Sequence, residues 1–160
     1  MTRQRIHSIR GPLLTAALGL LATLAACQPA PKQTPEGAVE VIRAHYEAIN
    51  ARRFQDAYNN WDDGGKASGK TFVAFLNGYA QTDHVEVTTG PPSPIEGAAG
   101  SRYITVPVRI TSRKRGGAQE EYAGTYTLRF SVVTGAKPAQ RTWHIYSAKI
   151  DRVSKADSLS

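Results

Sequence analysis

Residues 34–61 read TPEGAVEVIRAHYEAINARRFQDAYNNW, and the spacing of the apolar residues in this stretch decides the architecture. Val39, Ile42, Tyr46 and Ile49 recur at steps of three, four and three, which places them on one face of an α-helix. Thr34 can cap free backbone N–H groups, Pro35 suits the first helical position, and Glu36 complements the positive end of the helix dipole. Glu40, Arg43 and Glu47 fall on the other faces at spacings that allow pairing and keep that surface solvated. The pattern breaks over residues 50–53. Phe54, Ala57, Tyr58 and Trp61 then predict a second short amphipathic helix, closed by Asp62-Asp63-Gly64-Gly65. Phe72, Phe75, Leu76 and Tyr79 predict a third over residues 70–79.

Beyond residue 80 the period shortens to two. Residues 103–111 alternate Ile104, Val106, Val108 and Ile110 against Tyr103, Thr105, Pro107 and Arg109; residues 82–88, 122–133 and 142–150 also read as strands. Gly116-Gly117 and residues 135–138 mark connecting turns. Pro107 cannot donate to a ladder, so its strand needs an edge or a bulge there, and a bulge is the favoured reading. The apolar side of the last strand switches parity between Ile145 and Ala148/Ile150, which predicts another bulge near Tyr146 or Ser147. The expectation is an α+β domain over residues 36–152. Three N-terminal helices pack in the concave face of a curved, about four-stranded antiparallel sheet, and residues 153–160 form a polar tail.

Ala44-His45-Tyr46-Glu47-Ala48-Ile49-Asn50, followed by Phe54-Gln55-Asp56-Ala57-Tyr58 and Trp61, resembles the opening of the nuclear transport factor 2-like superfamily, the cone fold of SnoaL and ketosteroid isomerase. Trp143-His144-Ile145 with Ala148 and Ile150 resembles its last strand, so the resemblance covers roughly residues 36–150. The family often has a strand or hairpin between its second and third helices; residues 62–70 look too short and Gly-rich for one, which implies a reduced cone. The resemblance implies an apolar pocket between helices and sheet, with Tyr46, Tyr58, Trp61, Phe72, Phe75, Tyr79, Tyr126 and Trp143 as candidate lining. The competing reading is that these rings fill the core of a small domain.

Enzymes of this superfamily place a carboxylate or a His–Asp pair in the pocket as general base, and such a base must project inward. Glu86 has the outward parity, Glu120 and Glu121 open a strand, and Asp62 and Asp63 look like turn residues. His45, His84 and His144 show no metal-ligand spacing, so no metal and no cofactor are expected. Lys66-Ala67-Ser68-Gly69-Lys70 lacks the preceding strand and glycine spacing of a phosphate loop and reads as a flexible turn.

The first 26 residues read as an address. Arg3, Arg5 and Arg10 precede a Leu/Ala-rich run over residues 13–26, shorter than the ~20 residues of a membrane span. Leu24-Ala25-Ala26-Cys27 resembles the bacterial lipobox. The resemblance implies cleavage between Ala26 and Cys27, diacylglycerol on the Cys27 thiol and an acyl chain on its freed amine, a three-chain anchor. Residues 27–35 then form a lipidated cysteine and a Pro-rich tether. Gln28, where inner-membrane retention would place Asp, implies the periplasmic face of the outer membrane in a Gram-negative cell.

One cysteine in 160 residues excludes a disulfide framework and a Cys-based zinc cage. Loss of residues 1–26 removes three arginines and no acid, so the net charge falls from +7 to +4. That mild basicity, the exported compartment and the lack of a dense basic stripe argue against nucleic acid. Arg113-Lys114-Arg115, at an expected hairpin tip, is the candidate contact for anionic head groups, or simply a solvated turn. The expected function is a membrane-anchored, non-enzymatic lipoprotein that binds a small apolar ligand or an envelope protein, with a homodimer through the sheet as a further expectation. The alternative is an isomerase, cyclase or hydrolase of the same fold.

Overall fold

A computed structural model of the chain describes residues 33–154; the expected signal region, Cys27, most of the tether and the end of the tail lie outside the described residues. Helix α1 spans Pro35–Asn50. Its start follows the local chemistry: Thr34 Oγ1 accepts a hydrogen bond from the Gly37 N–H at 3.2 Å, with Pro35 in the first turn. The face that turns inward carries Ala38, Ile42, His45, Tyr46, Ala48 and Ile49, while Val39 is half-buried. Helix α2 covers Phe54–Asn59 and α3 covers Phe72–Gly78, capped by Thr71. No helix among the described residues is long and apolar enough to cross a membrane.

Five antiparallel strands follow: β1 Thr82–Thr89, β2 Glu96–Ala98, β3 Ser101–Lys114, β4 Gln119–Ser131 and β5 His144–Arg152. They form one curved sheet in the order β1-β3-β4-β5, with β2 beside the start of β3. The sequence pattern missed β2 because Glu96, Gly97 and Ala98 are all exposed and show no alternation. Ile104, Val106, Val108 and Ile110 of β3, with Tyr126 and Leu128 of β4, form the buried face against α1.

Tyr146 is the extra residue of a bulge in β5: Thr127 pairs with Ser147 while Leu128 pairs with Ile145. The bulge turns Ile145 fully inward and leaves Tyr146 exposed, which accounts for the parity switch. The bulge expected at Pro107 is absent. Pro107 pairs with Thr125 in an unshifted register, and its carbonyl on the other side accepts from the Gly90 N–H just where β1 has ended. Since N–H and C=O of a strand residue point the same way, the missing donor faces a gap between β1 and β2, a local edge.

Residues 62–70 are also not the loose turn expected. A 3-10 turn at Lys66–Ser68 is held by backbone bonds from Ala67 N to Asp62 O and from Ser68 N to Gly65 O. Trp61 forms a single-residue parallel bridge with Ile145: Asp62 N donates to Ile145 O at 2.9 Å and Ile145 N to Asn60 O at 2.8 Å. That bridge ends α2 two residues earlier than the apolar spacing predicts.

Candidate functional site

Between the helices and the sheet lies a cavity of about 330 Å³, at the lower end of the ~300–1,000 Å³ typical of ligand pockets. Tyr46 enters from α1, Tyr79 from the residue after α3, and Tyr122 and Tyr126 from the same face of β4. Thr82 and Val85 of β1, Ile110 and Ser112 of β3 and Ile150 of β5 complete the wall, with Lys70, Gly78 and Lys114 also contributing. Four polar lining residues, Tyr122, Thr82, Ser112 and Lys70, are not among the sequence-based candidates, nor are Gly78, Val85, Ile110 and Ile150; for Tyr122 the signal was its shared parity with Tyr126.

The Tyr46 and Tyr126 hydroxyls are 2.6 Å apart, their rings edge to face with centroids 6.4 Å apart. Burial pushes the Tyr126 phenol up to about 12 and raises Tyr46 and Tyr79 well above the usual phenol range. All three therefore stay protonated near neutral pH. Near the strand ends Glu120 accepts from the Tyr122 hydroxyl at 2.8 Å and pairs with Lys114 at 3.0 Å and Arg152 at 3.4 Å. The Tyr122 hydrogen bond, with help from Lys114, holds the Glu120 carboxyl below its usual range.

Of the eight candidate lining rings, Tyr46, Tyr79 and Tyr126 lie on this cavity. The others are placed as core side chains. Tyr58 is buried and donates its hydroxyl to Lys70 O at 2.7 Å, with Phe72 edge-on at 5.5 Å. Trp61 and Phe75 pack around His45 at 6.1 and 6.0 Å, and Trp143 is buried against Phe130 at 5.6 Å. These rings touch one another instead of facing open space, so the core requirement of a small domain consumes them.

The possible bases are dispersed. His45 is fully buried; its Nδ1–H donates to Ala57 O at 2.9 Å, and burial lowers its pKa to about 4. Its Nε2 and the Trp61 indole N–H are both buried without a hydrogen-bond partner among the described residues. Asp62 lies 2.6 Å from Arg129, whose guanidinium covers the Tyr146 ring at 5.4 Å. Asp63, Glu86 and Glu121 are exposed, and His84 is half-buried on β1. His144 is bound locally to Thr142. Among the described residues no group of three His, Cys, Asp or Glu could hold a metal ion.

A second, larger cleft of about 650 Å³ is lined by Asn59, Asp62, Asp63, Arg129, Lys137 and His144, among others. Its central charges, Asp62 and Arg129, already form an ion pair with each other. The basic triplet is likewise largely neutralised: Arg113 pairs with Asp83 at 2.8 Å and Lys114 with Glu120, which leaves Arg115 as the exposed charge at the hairpin tip. A cluster of three free cations is therefore not what the fold presents.

No family model matches the chain, and no curated protein sequence matches it. Solved structures do. A conserved protein from Planctomyces limnophilus superposes with a TM-score of 0.52 at 16% identity, over 74% of this chain and 97% of its own. A nuclear transport factor 2-like superfamily protein from Salmonella enterica gives 0.50 at 10% identity, over 72% and 88%. A protein from Novosphingobium aromaticivorans, described as a proposed aromatic ring hydroxylase, gives 0.52 at 12% identity, over 76% and 93%. At such identities the likeness establishes the fold, the nuclear transport factor 2-like α+β cone, and leaves chemistry to the site.

Proposed function

We propose that this protein is a lipid-anchored receptor for a small molecule in a bacterial cell envelope, held at the periplasmic face of the outer membrane by acyl chains on Cys27 and binding its ligand in the cone. The observation that carries this reading is the cavity itself. It is hollow, it is lined from α1, from α3 and its flanks and from the sheet, and among the described residues its lining contains hydroxyls, ammonium groups and aliphatic walls but neither a carboxylate nor an imidazole. General acid–base chemistry needs a titratable group within hydrogen-bond reach of the substrate, and the buried histidine of the fold spends its Nδ1–H on Ala57 O. Binding is what this arrangement supports best. The lining is mixed in character, which favours a small polar-headed molecule over the small apolar ligand of the sequence-based expectation.

Ligand-observed NMR with the purified full chain and three small aromatic probes, benzoate, benzyl alcohol and benzylamine, tests the reading. At least one probe is expected to bind. Ile150→Trp, at a half-buried lining position, is expected to weaken that binding while retaining a cooperative unfolding transition. Absence of binding by all three probes would refute the receptor reading.

A further inference from the structure

The cavity is one-sided in both charge and hydrogen-bonding capacity. Its charged lining residues are Lys70 and Lys114, and no acid lines it. Lys114 is matched by Glu120, but Lys70 is exposed and makes no ion pair among the described residues. Around the inner wall, Tyr46 and Tyr126 share one hydrogen bond. Two hydroxyls carry two hydrogens, and that contact uses one.

The second hydrogen of the pair is therefore free for a ligand, and so is that of Tyr79, whose hydroxyl makes no hydrogen bond among the described residues. Tyr79 and Tyr126 line the same cavity, so both free donors are offered to one space. Because burial keeps these phenols protonated, they present hydrogens at neutral pH. A cationic ligand would leave those hydrogens unspent and oppose the Lys70 ammonium. A neutral ligand would meet the donors but not the charge.

Resting on the receptor reading above, we infer that the cavity takes a small organic carboxylate, whose oxygens accept from Tyr79 and from the Tyr46–Tyr126 pair and whose charge lies in the field of Lys70, the lining lysine with no ion pair among the described residues. Size sets the scale of the ligand. A volume of about 330 Å³ equals about ten waters at ~30 Å³ each, which suits a single ring with a carboxyl group and excludes a diacyl lipid. Val85, Ile110 and Ile150 supply the apolar wall for its body.

Calorimetric or NMR titration of the full chain with the same three probes separates the possibilities, because they share shape and differ in charge. Charge-assisted hydrogen bonds are about twice as strong as neutral ones, so benzoate is expected to bind about tenfold tighter than benzyl alcohol, and benzylamine weakest. Lys70→Gln, at an exposed position that leaves the fold intact, is expected to narrow the gap between benzoate and benzyl alcohol several-fold; Tyr79→Phe is expected to narrow it as well. Equal binding of benzoate and benzyl alcohol, or a gap indifferent to Lys70→Gln, overturns the carboxylate assignment and leaves the receptor reading standing. Failure of all three probes overturns both.

Discussion

The hydroxyls of Tyr46 on α1 and Tyr126 on β4 meet at 2.6 Å across 80 positions of sequence, joining the helical layer to the sheet at the wall of the cavity. Removing one partner leaves the other buried hydroxyl short of a bond; removing both leaves two rings of unchanged shape. Tyr46→Phe and Tyr126→Phe are each expected to lower stability by about 1 kcal/mol, and the double variant by clearly less than the sum. Urea unfolding of the four proteins measures this. Additive losses would show that the two hydroxyls act independently.

His45 makes stability depend on acid. Its native pKa of about 4 lies below the ordinary 6.5 because the imidazolium would be buried, with Nε2 facing no partner. Above about pH 6.5 neither folded nor unfolded chain is protonated there, and this group adds no slope. Between pH 6.5 and about 4 the unfolded chain binds a proton that the folded chain refuses, so stability falls as pH falls, by about 3 kcal/mol in total at ~1.36 kcal/mol per pKa unit. Glu120, whose native pKa is lowered, loses its own contribution only below about 4.5, its ordinary value, so the window from 5 to 6.5 isolates the histidine. His45→Leu is expected to flatten urea midpoints across that window; an unaltered slope would count against the assignment.

Gly65 holds the segment between α2 and α3 in place. Its φ of +96° is a conformation that favours glycine, and a Cβ there would overlap the Tyr58 ring. Gly65→Ala is expected to cost about 2 kcal/mol or more, from backbone strain plus displacement of the ring. Gly64 is the control: its φ is +62° but nothing lies near a Cβ, so Gly64→Ala should cost about 1 kcal/mol. Equal melting temperatures for the two variants would show that the Tyr58 contact does not matter.

The proposed anchor rests on Cys27. Wild type is expected to incorporate labelled palmitate and sediment with membranes, whereas Cys27→Ser should remain unlabelled and leave the membrane fraction. A labelled serine variant, or an unmodified wild-type thiol by mass analysis, would remove the lipid from the account.

Much of the fold was legible because its elements carry strong periods. The three- and four-residue steps of α1 and the alternation of β3 put their buried faces where local spacing said, and the parity break at Ile145 located a bulge that indeed holds Tyr146. What escaped was structure without a hydrophobic period. Strand β2 is exposed throughout, the Trp61–Ile145 bridge is one residue long, and Pro107 needs no bulge because a neighbouring strand ends beside it, a fact about another segment.

The site was legible only in part, for a related reason. Spacing assigns a ring to the inner face of its element but not to a depth. Tyr46 and Trp61 look alike by that measure, yet Tyr46 borders open space and Trp61 packs against His45 and Tyr126. Likewise, the run of three cations at 113–115 is dense in sequence, while Asp83 and Glu120 cancel two of them in space.

By itself, then, the amino-acid order determined the kinds of element, their apolar faces and the α+β class, because each follows from residues within a few positions of one another. Tertiary structure alone decided that a cavity exists, which three of eight rings border it, and that among the described residues two lysines and no acid share its wall. Those outcomes depend on how far the sheet curves away from α1 and α3, and the gap between elements distant in sequence is set by the packing of the whole domain.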